Sequence, residues 1–274
     1  MTEDLATSDT VLVRRERPIR AQSVRILGVP ISAIDMSQTL FEIDTALAIG
    51  RGGYICVRDA HGVLLAQNDP YFRDIHDRAA LVTPDGMPLV WLAHLYGHSD
   101  VDRVCGADLV TALCAHSLRH RYRHYLFGGT ADVAERLRQA LRSTFPGIQI
   151  AGCESPPFKP PTTEPDYAAC ERIRDANADI VWVGLGTPKQ EYWMAANAPL
   201  LPNAILIGVG AAFDFHAGAV KRAPCWMQRS GLEWLYRLHQ QPRRLWKRYL
   251  ITVPKFTVMA FAEWIHFLKT ERSQ

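Results

Sequence analysis

The stretch IVWVGLGTPKQEYWM, residues 180–194, puts a short apolar run, a glycine-containing turn and a helix-like segment in immediate succession. The same order recurs along most of the chain. Apolar runs occupy residues 24–31, 54–57, 80–83, 124–127, 148–151, 180–183 and 204–208, and helical periodicity is found at 36–49, 89–96, 107–119, 131–145, 165–176 and 189–196. This alternation predicts an α/β fold with a doubly wound, mostly parallel, Rossmann-like sheet. In such sheets ligands bind beyond the carboxyl ends of the strands, so functional residues are expected in the turns that follow them.

Charge is distributed unevenly along the chain. Residues 221–274 hold 11 Lys and Arg, 3 Asp and Glu and four of the seven Trp, whereas the first 220 residues carry a net negative charge. We therefore predict a flexible leader (1–22), a Rossmann-like domain (23–220) and a basic, amphipathic helical appendage (221–274). Two or three short helices are expected in this appendage, because proline should end or kink them at Pro242 and Pro254. Such a tail favours contact with an anionic membrane surface or a phosphorylated ligand.

Several classes of protein and site are not expected. No apolar run reaches the roughly 18–20 residues that a membrane span needs, so membrane contact should be peripheral. The first 22 residues lack the apolar core of a secretory signal. The six Cys form no C-x-x-C pair, which argues against a disulfide framework or a zinc site. His116, His120 and His124 fall at four-residue steps, and we expect solvated helix histidines there rather than a metal trio. No metal and no cofactor is predicted.

The segment TPDGMP, residues 83–88, offers a candidate catalytic residue. Asp85 directly follows a predicted strand, so its carboxylate can face the ligand crevice and take a proton from an incoming hydroxyl. The alternative is a structural Asp that forms the turn or caps the next helix, since Asp-Gly is common in turns.

The glycine turns offer candidate substrate-binding groups. After residues 180–183, the backbone at Gly186 can approach an anion, Thr187 can cap the next helix, and Lys189 adds positive charge, which suits a diphosphate at a helix N-terminus. Gln190 and Glu191 in the same turn, and Asp214 after the last strand, are polar candidates that can orient uridine or sugar hydroxyls. Gly210 can bring the backbone close to a flat ligand group, and Gly128 belongs either to another phosphate turn or simply to a loop. For the turns at Gly186 and Gly210, the alternative is tight strand–helix packing without a ligand.

The tail arginines are candidate phosphate ligands because guanidinium offers a rigid fork to phosphate oxygens. Arg222, Arg229 and Arg237 are the first three of this group. Nucleic acid is the rival ligand of a basic patch, so a non-catalytic nucleotide- or nucleic-acid-binding module is the alternative function. No helix-turn-helix, RRM, KH or zinc-finger pattern is visible, and we expect no nucleic-acid partner. A nicotinamide-dependent oxidoreductase is disfavoured, because no G-x-G-x-x-G follows the first apolar run.

Five segments, read together, resemble the WecG/TagA/CpsF family of bacterial glycosyltransferases, glycosyltransferase family 26. They are TPDGMPLVW (83–91), RVCGADL (103–109), YLFGG (125–129), VGLGTPKQEYWM (183–194) and IGVGAAFDFHAGAVKRAPCWMQRSGLEWLYRLHQQPRRLWKRYL (207–250). The resemblance covers most of the chain, from about residue 26 to residue 250.

The resemblance implies an inverting, metal-independent transferase that moves a sugar from a UDP-sugar to a polyprenyl-diphosphate-linked saccharide in surface-glycan or exopolysaccharide synthesis. It implies Asp85 as the base, tail arginines near the donor diphosphate, and a peripheral position on the cytoplasmic face of the plasma membrane. Asp108, in the segment RVCGADL, joins the substrate-binding candidates. Many members carry Thr and Asn after the second strand, where this chain has Asp59 and His61, and these two are candidates for sugar contact. A second copy of the chain is left open as a partner.

Overall fold

The computed structural model describes residues 21–271. The predicted leader lies outside the described residues except for residues 21 and 22. Eight strands form an antiparallel pair, β1 and β2, and a six-stranded, all-parallel sheet with the order β4-β3-β8-β7-β5-β6. The predicted doubly wound α/β fold is thereby confirmed. The strands are β1 Ser23–Ile26, β2 Val29–Ser32, β3 Gly53–Arg58, β4 Leu81–Pro84, β5 Arg123–Gly128, β6 Gln149–Glu154, β7 Ile180–Gly184 and β8 Ile205–Gly208.

Helices cover both faces of the parallel sheet. They are α1 Met36–Ala48, α2 Ala60–Asn68, α3 Pro70–Arg78, α4 Met87–Leu95, α5 Gly106–His120, α6 Ala131–Thr144, α7 Tyr167–Asp175, α8 Lys189–Asn197, α9 Ala212–His216, α10 Cys225–Arg229, α11 Glu233–Gln240 and α12 Pro242–Glu271. The protein has two hydrophobic cores, one on each face of the parallel sheet. Side chains of one strand alternate between them, as in β3, where Cys56 belongs to one core and Ile55 to the other. Burial on both faces explains why the strands read as continuous apolar runs.

The first apolar run is a hairpin, and the prediction that residues 24–31 form one strand of the main sheet is wrong. β1 and β2 pair antiparallel around Leu27 and Gly28. Both residues have positive φ, 48° and 75°, which is the backbone of a type I′ hairpin turn. The first strand of the parallel sheet is therefore β3.

Two helices between β3 and β4 were not predicted. Each begins at an Asp whose side chain accepts a hydrogen bond from the first helical turn: Asp59 from the Gly62 N–H, and Asp69 from the Phe72 N–H. The pair Asp69-Pro70 was the available signal, because an N-cap Asp followed by Pro in the first turn is typical of a helix start.

Gly128, at the end of β5, is explained by packing between neighbouring strands. Its φ is 139°, and a Cβ at this position would lie 2.6 Å from backbone atoms of Gly184 in β7. Only glycine permits this approach.

The tail folds into three helices, of which the last is 30 residues long. Helix α11 ends before Pro242, as predicted, but α12 runs through Pro254, so the prediction of only short helices is wrong. A proline removes one backbone hydrogen bond within the helix. Burial of one face of α12 against the domain offsets this loss, because that face places buried side chains at intervals of three or four residues. They are Leu245, Tyr249, Thr252, Phe256 and Ala260.

Glu263 is a polar anchor of α12. Its two carboxylate oxygens accept hydrogen bonds from the Leu27 N–H, at 2.8 Å, and from the Tyr96 hydroxyl, at 3.0 Å. The opposite face of α12 leaves large apolar side chains exposed: Trp246, Leu250, Ile251 and Val258. None of the helices in residues 21–271 combines the length and apolarity needed to cross a bilayer.

Candidate active site

A cleft of about 610 Å³ lies at the carboxyl ends of the parallel strands. The turns after four adjacent strands line it: Asp59 after β3, Asp85 after β4, Gly186 after β7 and Gly210 after β8. Helices α4, α11 and α12 form its outer wall. This volume is in the range of small-molecule sites. The sheet therefore brings Asp85 and the glycine turn of residues 184–187 into one cleft, although they are about 100 residues apart in sequence.

Asp85 is the titratable group in the cleft that is best suited to acid–base chemistry. Its side chain keeps 34% of its surface exposed, and Gly86 rather than Asp85 precedes the first turn of α4, without a side-chain cap. Burial raises the pKa of the Asp85 carboxyl to about 6; the Arg103 guanidinium lowers it, whereas the charges of Asp59 and Glu233 raise it. A carboxylate with this pKa suits proton abstraction near neutral pH.

Arg103 holds the Asp85 turn in place. Its Nε donates to the Asp85 main-chain carbonyl at 2.5 Å, and its Nη2 lies 3.7 Å from the Asp85 carboxylate. The same Nη2 donates to the Glu233 carboxylate in α11 at 2.5 Å. Arg103 thus connects the candidate base to the tail.

Asp59 and His61 meet the tail on the other side of Asp85. Arg248 of α12 donates to Asp59 Oδ2 at 2.5 Å, and His61 Nδ1 lies 3.2 Å from the Thr252 hydroxyl. Burial raises the pKa of Asp59, but the charges of Arg248 and Arg58 outweigh it and hold that pKa below its usual range. Burial and Arg248 lower the pKa of His61 to about 4, so its ring is neutral at physiological pH.

Buried polar groups hold the glycine turn after β7 in place. Glu191 is fully buried and pairs with Arg58, whose Nη2 also donates to the Thr187 hydroxyl at 3.2 Å. The Thr187 hydroxyl donates to Glu191, and the prediction that Thr187 caps α8 is wrong, because Pro188 occupies the N-cap. The Gly186 N–H donates to Gln190 Oε1. Gly186, Thr187 and Gln190 line the cleft, whereas Glu191 does not.

Five arginines line the cleft, and they differ in their partners. Arg103, Arg222 and Arg248 form ion pairs with carboxylates. Within residues 21–271, no ion pair is found for Arg237 or Arg244. Arg237 packs over the Phe215 ring and is close enough to Asp85 to lower its pKa. These two guanidinium groups are therefore available to an anionic ligand.

The other predicted site residues lie outside the cleft lining. Asp108 forms a two-point ion pair with Arg222, which keeps its pKa low despite burial. Lys189 packs over the ring of Phe158 in the Pro-rich loop, with Nζ 3.6 Å from the ring centroid. Asp214 borders a narrow adjoining depression that also contacts Arg237 and Arg244. The remaining two are Gly128, at the β5–β7 contact, and the exposed Arg229 at the end of α10.

Sequence reasoning missed the groups that the tail and loops bring to the cleft. Arg103 and Glu233 were not predicted, whereas Arg244 and Arg248 were predicted only as members of the group of tail arginines. Trp91 of α4 also lines the cleft. One signal was available for Glu233: it is one of only three acidic residues in the basic segment 221–274. An isolated acid among many bases is a natural partner for a cation elsewhere in the fold.

The chain is similar to known proteins over most of its length. A family model described as "Glycosyl transferase WecG/TagA/CpsF family" matches residues 24–270. Two relatives carry the name N-acetylglucosaminyldiphosphoundecaprenol N-acetyl-beta-D-mannosaminyltransferase. The chain is 30% identical to that of Bacillus spizizenii over 212 residues, 77% of this chain and 80% of the relative. It is 33% identical to that of Bacillus subtilis over 198 residues, 72% and 75% of the two chains.

Replacing Asp85 and Asp59 by Asn is expected to change stability in opposite directions. The pKa of Asp85 is raised in the folded state, so its ionisation destabilises the fold increasingly as the pH rises from about 4 through about 6. Asp85→Asn should therefore leave the free energy of unfolding at about pH 8 unchanged or higher, with a smaller advantage at about pH 4. The pKa of Asp59 is lowered, so Asp59→Asn should reduce that free energy throughout this range. Urea unfolding at both pH values measures the two effects, and a loss of stability in Asp85→Asn at pH 8 would contradict the assignment.

Proposed function

The chain belongs to the WecG/TagA/CpsF family of glycosyltransferases, and from this premise we propose that it moves an N-acetylhexosamine from a UDP-sugar to a polyprenyl-diphosphate-linked saccharide with inversion at the anomeric carbon. The observation that carries the proposal is the pairing, in one cleft, of a carboxylate with a raised pKa and two arginines without a carboxylate partner among the described residues. The names of the two Bacillus relatives support a lipid-diphosphate-linked N-acetylglucosamine as the acceptor.

In the proposed reaction, Asp85 is the general base. The acceptor hydroxyl attacks C1 of the donor sugar from the face opposite the diphosphate, forming the new C1–O bond as the bond from C1 to the UDP oxygen breaks. The hydroxyl proton passes to the Asp85 carboxylate, and the electron pair of the broken bond leaves with UDP. A base with a pKa of about 6 is mostly ionised at neutral pH and remains basic enough to accept this proton.

The proposed site of the leaving diphosphate is the arginine side of the cleft. Arg237 of α11 and Arg244 of α12 line the same cleft as the turn of Gly186 and Thr187. Guanidinium groups stabilise the charge that develops on the diphosphate in the transition state, which is the role of a divalent cation in other transferases. The reaction as proposed therefore uses fixed cations of the chain.

The proposed sugar subsite lies near Asp59 and His61. Asp59 keeps about a third of its side chain exposed and is held by Arg248, so one ionised, oriented carboxylate faces the cleft. Neutral His61 can donate to or accept from a sugar hydroxyl. These residue types are suited to hydroxyl recognition, which is why we assign them to the donor or acceptor sugar.

The proposed location is the cytoplasmic face of the plasma membrane, with α12 lying on the bilayer surface. Its exposed apolar side chains are accompanied by the exposed basic residues Arg243, Lys247 and Lys255. Apolar side chains inserted at the interface and cations near anionic lipid together give reversible peripheral binding. A cleft walled by the same helix would open close to the surface where a polyprenyl diphosphate resides.

Substitution of Asp85 tests the proposed base. Asp85→Asn and Asp85→Ala should lower kcat for transfer from a UDP-N-acetylhexosamine to a short-chain polyprenyl-diphosphate acceptor by about 100- to 10,000-fold. For the parent, kcat/KM should rise with pH to a plateau and be about tenfold lower at pH 5 than at pH 7, because Asp85 must be ionised. Radiolabelled transfer measures both, with unfolding curves as the fold control. Turnover near the parental rate in either variant would remove Asp85 from the mechanism.

The two unpaired arginines are expected to carry donor affinity. Arg237→Ala and Arg244→Ala should each reduce kcat/KM for the UDP-sugar by about 10- to 100-fold, because each loses a charge-assisted hydrogen bond. Arg229→Ala, at an exposed site outside the cleft, is the matched control and should change it less than about twofold. EDTA should leave the parental rate unchanged; a loss that Mg²⁺ or Mn²⁺ restores would contradict the role given to the arginines.

The exposed face of α12 is expected to bind vesicles. Changing Trp246, Leu250 and Ile251 together to Ser should weaken sedimentation with anionic vesicles at least about tenfold, because three apolar side chains no longer enter the interface. The control is Phe41→Ser with Ile49→Ser, two equally exposed apolar residues at the other side of the fold, near α1. Equal vesicle binding by the two variants would contradict the assignment of this surface.

A further inference from the structure

A second group of chemically active side chains lies between α1 and the end of α5. Asp44 of α1 meets His116 and His120 of α5, and one ligand atom from each lies within 4.8 Å of the others. Asp44 Oδ2 is 2.5 Å from His116 Nε2. The rings of His116 and His120 stack with centroids 4.5 Å apart, as expected for residues four apart on a helix.

This group is remote from the cleft. Helix α5 begins at Gly106, which lines the cleft, and His120 is its last residue. At 1.5 Å per residue, the two ends of this helix are about 20 Å apart. The group therefore belongs neither to the proposed base nor to the proposed diphosphate site.

The donor set fits a divalent transition-metal ion. Two imidazoles and one carboxylate are a common set for Zn²⁺, and imidazole also suits Co²⁺, Ni²⁺ and Cu²⁺. Two ligands bound tetrahedrally at about 2.1 Å lie roughly 3.4 Å apart. The ligand atoms of Asp44, His116 and His120 already lie within 4.8 Å of one another, which is close to this spacing.

The surroundings of Asp44 and His120 resemble the outer shell of a metal site. The Tyr122 hydroxyl donates to Asp44 Oδ1 at 2.9 Å, which leaves Oδ2 directed at the histidines. The Tyr122 ring stacks on His120 with centroids 5.3 Å apart. Hydrogen bonds to ligating carboxylates orient them and typically change metal affinity about 10- to 100-fold. Since His120 is exposed, an ion has an entry path and a position open to solvent.

We propose that Asp44, His116 and His120 form a binding site for a divalent transition-metal ion of the zinc type, which would connect α1 to the end of α5 outside the transfer reaction. His116 and His120 were expected to be solvated helix histidines. Their carboxylate partner lies 72 residues from His116 in sequence, so the spacing of the histidines alone does not reveal it. His124, the third histidine of that series, takes no part: it is buried in β5 and accepts a hydrogen bond from the Trp182 indole.

The test is titration of the full chain, prepared without a polyhistidine tag and stripped with EDTA, with ZnCl₂ by calorimetry and with CoCl₂ by visible absorption. One ion should bind per chain, and Co²⁺ should give the d–d bands of a site with nitrogen ligands. At a free Zn²⁺ concentration about 100 times Kd, Tm should rise by roughly 5 °C. The transfer rate should not change, so failure of this proposal and failure of the proposed transferase function are separately visible.

Variants assign the binding to these residues. His120→Ala, at an exposed position, should weaken Zn²⁺ binding at least tenfold without changing Tm in EDTA, and the double variant His116→Ala with His120→Ala should abolish the Tm rise. Tyr122→Phe keeps the ring and should weaken binding about tenfold. His239→Ala, at an exposed histidine of α11, is the control and should bind like the parent. Absence of saturable binding in the parent, or equal binding in the double variant, overturns the proposal.

Discussion

A fully buried ion pair between Arg58 and Glu191 is the constraint on which the cleft depends. Arg58 ends β3 and Glu191 stands in the first turn of α8, and neither side chain is exposed by more than 1%. The Arg58 guanidinium also donates to the Thr187 hydroxyl. The main-chain carbonyl of Arg58 accepts a hydrogen bond from the Asp85 N–H at 2.8 Å. One residue thus fixes the turns that carry the proposed base and border the proposed diphosphate site. Removal of one partner from a buried pair typically costs about 3–5 kcal/mol, so loss of either residue would disturb both turns.

The tail is part of this arrangement, because it closes the cleft through specific charge pairs. Two acidic residues of the tail contact the domain: Glu233 holds Arg103 beside Asp85, and Glu263 binds the β1–β2 turn. A basic residue of the tail, Arg248 of α12, orients Asp59 of the domain. Any interaction that stabilises α12 in this position, including the proposed contact with lipid, therefore also favours the assembled cleft by linkage. Membrane binding and substrate binding would then be coupled without a separate regulatory element.

The parallel sheet and the position of Asp85 were predictable because both follow from local patterns. Apolar runs followed by glycine turns identify buried strands, and the fold rule then places the residues after them at one edge. The hairpin at 24–31 was misread because its turn, Leu27-Gly28, is hidden within an apolar run. Arg103 was missed, and the pairing of Arg248 with Asp59 was not predicted, for another reason: these roles arise from partners 18 and 189 residues away, and single-sequence periodicity carries no information at that distance.

The pairing pattern divides the cleft arginines into two classes, and this division explains how one cleft can hold several acids and still suit the proposed diphosphate ligand. Arg103 and Arg248 neutralise carboxylates that would otherwise repel the proposed donor, whereas Arg237 and Arg244 form no ion pair among the described residues. Two opposing effects act on the pKa of Asp85. Burial raises its pKa, and Arg103, 3.7 Å away and shared with Glu233, only partly counteracts this, so the pKa stays in the range that suits the proposed role as base. A shorter, unshared pair with Arg103 would lower that pKa and weaken the base, since basicity and charge stabilisation oppose each other.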